Sequence, residues 1–131
     1  DNILRFLTHF LLIYKKIVLI EEDIFADVIS NYVKMLIRLK KYEIIALYVS
    51  LMPIVYQIPT YASALETLKI RENKNEYIEL AKKHGIDQIA VCKTISSKVV
   101  DKYLESIKFS PTTIDVLYYY YIRQLLIPWI L

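Results

Sequence analysis

A single glycine in 131 residues, Gly85, is the tightest constraint on what this chain can become. Tight hairpins and phosphate-cradling loops lean on glycine for backbone conformations closed to other residues. One glycine leaves room for neither in number. Gly85 and the four prolines also fall where helices are expected to start or stop. Between them the apolar residues recur at helical spacing, and no alternation runs long enough to favour strands. The run of β-branched and aromatic residues from Val116 to Ile122 is the one segment that also suits a strand.

The spacing predicts an all-α protein: an irregular antiparallel helical stack, an α-solenoid segment of about seven helices without a fixed repeat. A first helix spans about Ile3 to Ile17. Arg5, Thr8, His9 and Lys16 form its polar stripe, and its apolar arc is wider than one neighbour can cover. Glu21, Glu22 and Asp23 open a second helix, placing negative charge at the positive end of its dipole. Its wet stripe is Asp23, Asp27, Asn31, Lys34 and Arg38; its buried stripe is Phe25, Val28, Ile29, Tyr32, Leu36 and Leu39. A third runs from about Tyr42 to Leu51 and stops before Pro53. Pro59 and Thr60 open a fourth, in which Ala62 and Ala64 admit close approach of another backbone. Asn73 and Glu76 have capping-box spacing for a fifth, ended by Gly85 in the left-handed conformation. Asp87 caps a sixth, with Ile89, Cys92, Ile95 and Val99 on one face. Ser110 and Pro111 open a seventh that reaches Pro128.

The apolar fraction, 56%, exceeds what one small domain can hide, so part of it is expected to pack against something else. Asp1 stands where an initiator methionine would, and residues 1–131 read as a single solenoid segment of a longer subunit. A net charge of +3, with lysine pairs spread over helix ends, is too mild for a nucleic-acid surface. Cys92 alone permits neither an intrachain disulfide nor a cysteine-based metal cluster. The apolar stretches Ile3 to Ile20 and Ile114 to Leu131 carry charges that suit buried helix better than a membrane span.

Catalytic chemistry has little to work with. His84 sits at a helix C-terminus, and His9 lies beside Arg5; neither has a serine or cysteine nucleophile nearby in sequence. The acidic run Glu21 to Asp23 reads as a helix start rather than a cation loop. No catalytic, metal-binding or cofactor-binding residue is assigned and no cofactor is expected. The oddity is tyrosine: twelve in all, with Tyr118 to Tyr121 in a row. Consecutive helical residues point about 100° apart, so these four ring the helix. Core placement and partner contact weigh equally for them, and stacking on single-stranded nucleic acid ranks third. Tyr118, Tyr121, Leu125 and Trp129, three to four apart along one side, form the candidate interface. Competing readings are a small helical ligand carrier and a membrane-peripheral helix bundle.

A set of short segments in fixed order carries a family resemblance. It comprises Arg5 to His9 before an apolar run, Tyr32 with Met35 to Arg38, and Ile45 to Tyr48 leading to Met52-Pro53. Tyr61-Ala62, Leu65-Glu66, Glu79 to Ala81 and Thr94 follow. Together they resemble the C-terminal half of the nuclear pore scaffold nucleoporins known as the 107-kilodalton nucleoporin, or 84-kilodalton nucleoporin in yeasts. The resemblance covers roughly the first hundred residues; the four-tyrosine run has no counterpart in it. It implies a non-enzymatic helical stem subunit of the Y-shaped subcomplex of the nuclear pore at the nuclear envelope, serving nucleocytoplasmic transport. It also implies other scaffold nucleoporins as partners, with the 133-kilodalton nucleoporin as neighbour, and neither small-molecule substrate, direct nucleic acid nor transmembrane segment.

Overall fold

A computed structural model describes residues 1–68, 74–109, 122–127 and 129. Among these there are no strands. In chain order come α1 (Asn2–Tyr14), α2 (Glu22–Arg38), a 3-10 turn (Tyr42–Ile44) running into α3 (Ile45–Ser50), α4 (Ile54–Leu68), α5 (Lys74–Lys83) and α6 (Gln88–Phe109). Residues 122–127 are also helical. The all-α helical stack expected from the spacing is what forms. The segment around Ser110-Pro111, the start of the expected seventh helix, lies outside the described residues, as does Asn73.

Each helix sends at least one fully sheltered residue inward: Thr8 from α1, Ile29 from α2, Val49 from α3, Ala62 from α4, Ala81 from α5 and Val91 from α6. α4 touches α2, α3 and α6. Its buried face is centred on Tyr61 and Leu65, with Ala62 on one flank and Ala64 on the other, where a small side chain lets a neighbouring helix approach. The Tyr61 hydroxyl donates to the Tyr77 carbonyl of α5 at 2.7 Å. At the far end of α4, Glu66 meets Lys98 and Lys102 of α6 at 3.7 and 2.7 Å. Where α1 begins and α2 ends, Arg38 meets Asp1 at 3.2 Å, as expected of antiparallel neighbours.

The helix ends follow local chemistry. The Asp87 carboxylate accepts from the Ala90 amide at 3.0 Å, the cap expected of it. α5 closes with Gly85 at φ 77°. The Ile86 amide reaches back to the Ala81 carbonyl at 2.9 Å and the Gly85 amide to Lys82 at 3.1 Å, the paired bonds of a Schellman motif. α2 closes the same way without glycine. Lys40 takes φ 56°, the Lys41 amide bonds Leu36 at 2.9 Å and the Lys40 amide bonds Ile37 at 3.1 Å.

Four expectations need correction. The fourth helix does not open at Pro59; it opens at Ile54, just past Pro53, and carries Pro59 inside. Pro59 lacks the N–H that would meet the Val55 carbonyl, a loss tolerable here because Val55 lies exposed near the helix start. Thr8 is not on a wet stripe: it is the most buried residue of α1, and its hydroxyl has no hydrogen-bond partner. Leu39, expected in the core, is about half exposed because α2 has already ended. On α6 the inner row is Val91, Ile95 and Val99, whereas Ile89 is exposed.

Two positions of like geometry make opposite predictions. Lys40→Gly relieves a left-handed lysine and should raise unfolding free energy by about 0.5–1 kcal/mol in urea titration. Gly85→Ala should lower it by about 1 kcal/mol from backbone strain alone, since a Cβ there would meet nothing within 4 Å. Thr8→Val removes an unpartnered buried hydroxyl and should raise stability by about 1 kcal/mol in the same assay.

Candidate protein-binding surface

α1 packs on the stack through Leu4, Leu11 and Leu12, with Thr8 between them. That leaves most of its apolar residues outside. Phe6 is 70% exposed, Phe10 47% and Ile13 64%. Phe6, Phe10 and Tyr14 recur every fourth residue and so lie above one another on the helix. Their rings stack, at centroid spacings of 6.1 Å for Phe6–Phe10 and 5.5 Å for Phe10–Tyr14. An aromatic ladder of this kind is large apolar area held in a fixed conformation, which is what a protein partner buries with least ordering cost. Apolar exposure continues beyond the helix at Ile17, Val18 and Leu19. Contiguous apolar surface of this extent marks an interaction site far more often than chance exposure.

The polar edge of α1 is pinned by His9. Its Nδ1 lies 2.6 Å from the Arg5 carbonyl, which can only accept, so Nδ1 carries the proton. Nε2 is then free to accept from the Tyr48 hydroxyl at 2.8 Å. The imidazole meets the rings of Tyr32 and Tyr48 edge-on at 5.9 and 5.8 Å, and these two rings sit 4.7 Å apart. The cluster ties α1 to α2 and α3. Burial, and secondarily Tyr32, pushes the Tyr48 phenol up to about 12. Tyr56 moves up through its hydrogen bond to Asp23, and Tyr61 and Tyr77 move up chiefly through burial. Phenols shifted this way hold their protons at neutral pH and act as hydrogen-bond donors, not as bases or nucleophiles.

The interface residues named from sequence fall at the other end. Tyr118 and Tyr121 lie outside the described residues. Leu125 is half-buried, and Trp129 is half-buried against the core. The α1 ladder was legible in the sequence only as an overly wide apolar arc; the burial of Thr8 tells which part of that arc turns outward. Among the described residues no group of histidine, cysteine and acidic side chains is placed to hold a metal, and no helix is long and apolar enough to cross a membrane.

Comparison with known proteins gives one consistent result. The family described as nuclear pore protein 84 / 107 matches residues 1–126. The human nuclear pore complex protein Nup107 is 30% identical over 102 residues, which cover 77% of this chain and 11% of that protein. The rat and mouse proteins of the same name are 29% identical over the same length. The chain thus spans about a tenth of the length of these relatives. No solved structure matches.

Tyr48 sets an alkaline limit on this arrangement. Its phenol is harder to ionise when folded, so the stability it lends is complete below pH 10 and drains as pH climbs from 10 toward 12. Unfolding measured by circular dichroism across that interval should show a falling midpoint, and Tyr48→Phe should make the fall shallower.

Proposed function

Because the chain belongs to the nuclear pore protein 84 / 107 family, we propose that it is a segment of a structural scaffold nucleoporin. In this reading it acts by protein–protein contact at the nuclear pore, in support of nucleocytoplasmic transport of protein and mRNA. The α1 ladder carries the reading on the structural side, for it is surface built to be covered. The phenol shifts agree with it, since they stabilise donors and activate nothing. The segment is therefore read as non-enzymatic and as one solenoid unit, residues 1–131, of a longer subunit.

Other scaffold nucleoporins are the expected partners, and the neighbour proposed is the 133-kilodalton nucleoporin. Tyr118, Tyr121, Leu125 and Trp129 are proposed as an open-end surface for the next helices or a partner. Affinity at such contacts comes from a few buried aromatic anchors. Of the two competing readings, the ligand carrier finds no support between α1 and α2, where Thr8 is fully enclosed.

The test is the full-length subunit tagged in cells. It should give a rim at the nuclear envelope and co-purify with other scaffold nucleoporins. A variant with Tyr121→Asp and Leu125→Asp should weaken docking of the next helices or a partner by at least about tenfold, while the upstream helices persist. Diffuse cytoplasmic signal with no nucleoporin recovered would refute the reading.

A further inference from the structure

The residues of α1 divide the helix into three sectors when spaced at about 100°. Leu4, Leu11, Thr8, Leu12 and Lys15 share the inward sector; Leu4, Leu11 and Leu12 pack on the core, Thr8 is buried, and the Lys15 ammonium stands 4.1 Å over the Phe25 ring. Ile3, Phe6, Leu7, Phe10, Ile13 and Tyr14, all exposed, span roughly 120° on the far side. Arg5 and His9 fill one edge between these sectors, and Lys16 follows in the turn just past the end of α1. The other edge, from Leu7 to Leu11, has no polar side chain at all, so apolar surface passes without a break from the core to the outside. A single packed helix covers a stripe of about this width.

Charge narrows the occupant. From Asn2 to Ile20 there is no carboxylate, while Arg5 stands on that edge and Lys16 just past the helix end. A second copy of α1 laid on the first would bring more cations, and its N-cap carboxylate, Asp1, is already paired with Arg38. An anionic membrane would be met by cations on both sides of the apolar sector, and here one side only is charged. One acidic flank of a helix fits a one-sided cationic edge.

We propose that the outer face of α1 is the docking site for one amphipathic α-helix whose apolar stripe is bordered by carboxylates on the side facing Arg5 and Lys16. Phe6, Phe10 and Tyr14 act as the anchors, and the cationic edge sets orientation. This deepens the scaffold reading, on which it rests for expecting a protein partner; its failure would leave the nuclear-envelope result standing.

Two synthetic helical peptides with the same leucine stripe, one bordered by glutamate and one by lysine, test it by fluorescence anisotropy against the 131-residue chain. The glutamate peptide should bind at least about tenfold more tightly at low salt, and the gap should narrow at high salt. Phe10→Asp, at an exposed position whose ring stacks on Phe6 and Tyr14 of the same helix, should abolish binding with helix content unchanged. Arg5→Glu with Lys16→Glu should reverse the preference. The proposal is overturned if neither peptide binds, if both bind equally, or if binding survives Phe10→Asp. It is equally overturned if the chain alone forms a dimer, or binds phosphatidylserine vesicles, in a manner that Phe10→Asp destroys.

Discussion

The inner side of α4, two large side chains flanked by two alanines, is what the rest of the stack depends on. Ala62 and Ala64 let α2, α3 and α6 come close to one backbone, and Tyr61 reaches from the same helix to bond α5. Bulk at Ala62 would push those neighbours apart at once, because a close-packed interior has no slack to absorb a larger side chain. The tyrosine supplies what alanine lacks. It fills volume at the centre and spends its hydroxyl on a carbonyl, so no polar atom is left stranded by its burial.

α1 obeys a different logic. It is attached by one apolar sector, by the His9–Tyr48 bond and by the exposed pair between Asp1 and Arg38. Exposed pairs of that kind add little. The helix is held mainly by leucines on its inner side while most of its apolar residues face outward. A freestanding globule gains nothing from such an arrangement, since the outer residues are hydrated in both folded and unfolded states. The arrangement makes sense for a unit whose outer layer arrives from another segment or another protein.

Much of this was legible in the residues because it rests on local chemistry. The carboxylate of Asp87, the acids at the head of α2 and the left-handed Gly85 each act within a turn of where they sit. The wet stripe of α2 was legible for a related reason: Asp23, Asp27, Asn31, Lys34 and Arg38 cannot be buried without partners. What escaped depends on distant neighbours. Thr8 is sheltered because α1 lies on α2, and a hydroxyl at helical spacing gives no hint of that. Pro59 looked like a helix start because proline is at home in a first turn, yet the chain had turned at Pro53 and the lost hydrogen bond fell near an exposed end. Ile89 and Val91, two apart, point to opposite sides of α6, and which side meets the stack is decided by its neighbours. Of the interface residues, Leu125 and Trp129 were chosen by spacing alone, and spacing could not foretell that Trp129 leans on the core.

The junction between α3 and α4 is clasped by a single side chain. The Gln57 amide donates to the carbonyls of Ser50 and Met52, at 3.1 and 2.9 Å, and so occupies acceptors that the end of α3 leaves open. Both bonds come from α4 and cross the corner, so they tie the end of α3 to α4 over Pro53. The elbow at Pro53 would carry its angle unchanged from one helix to the next.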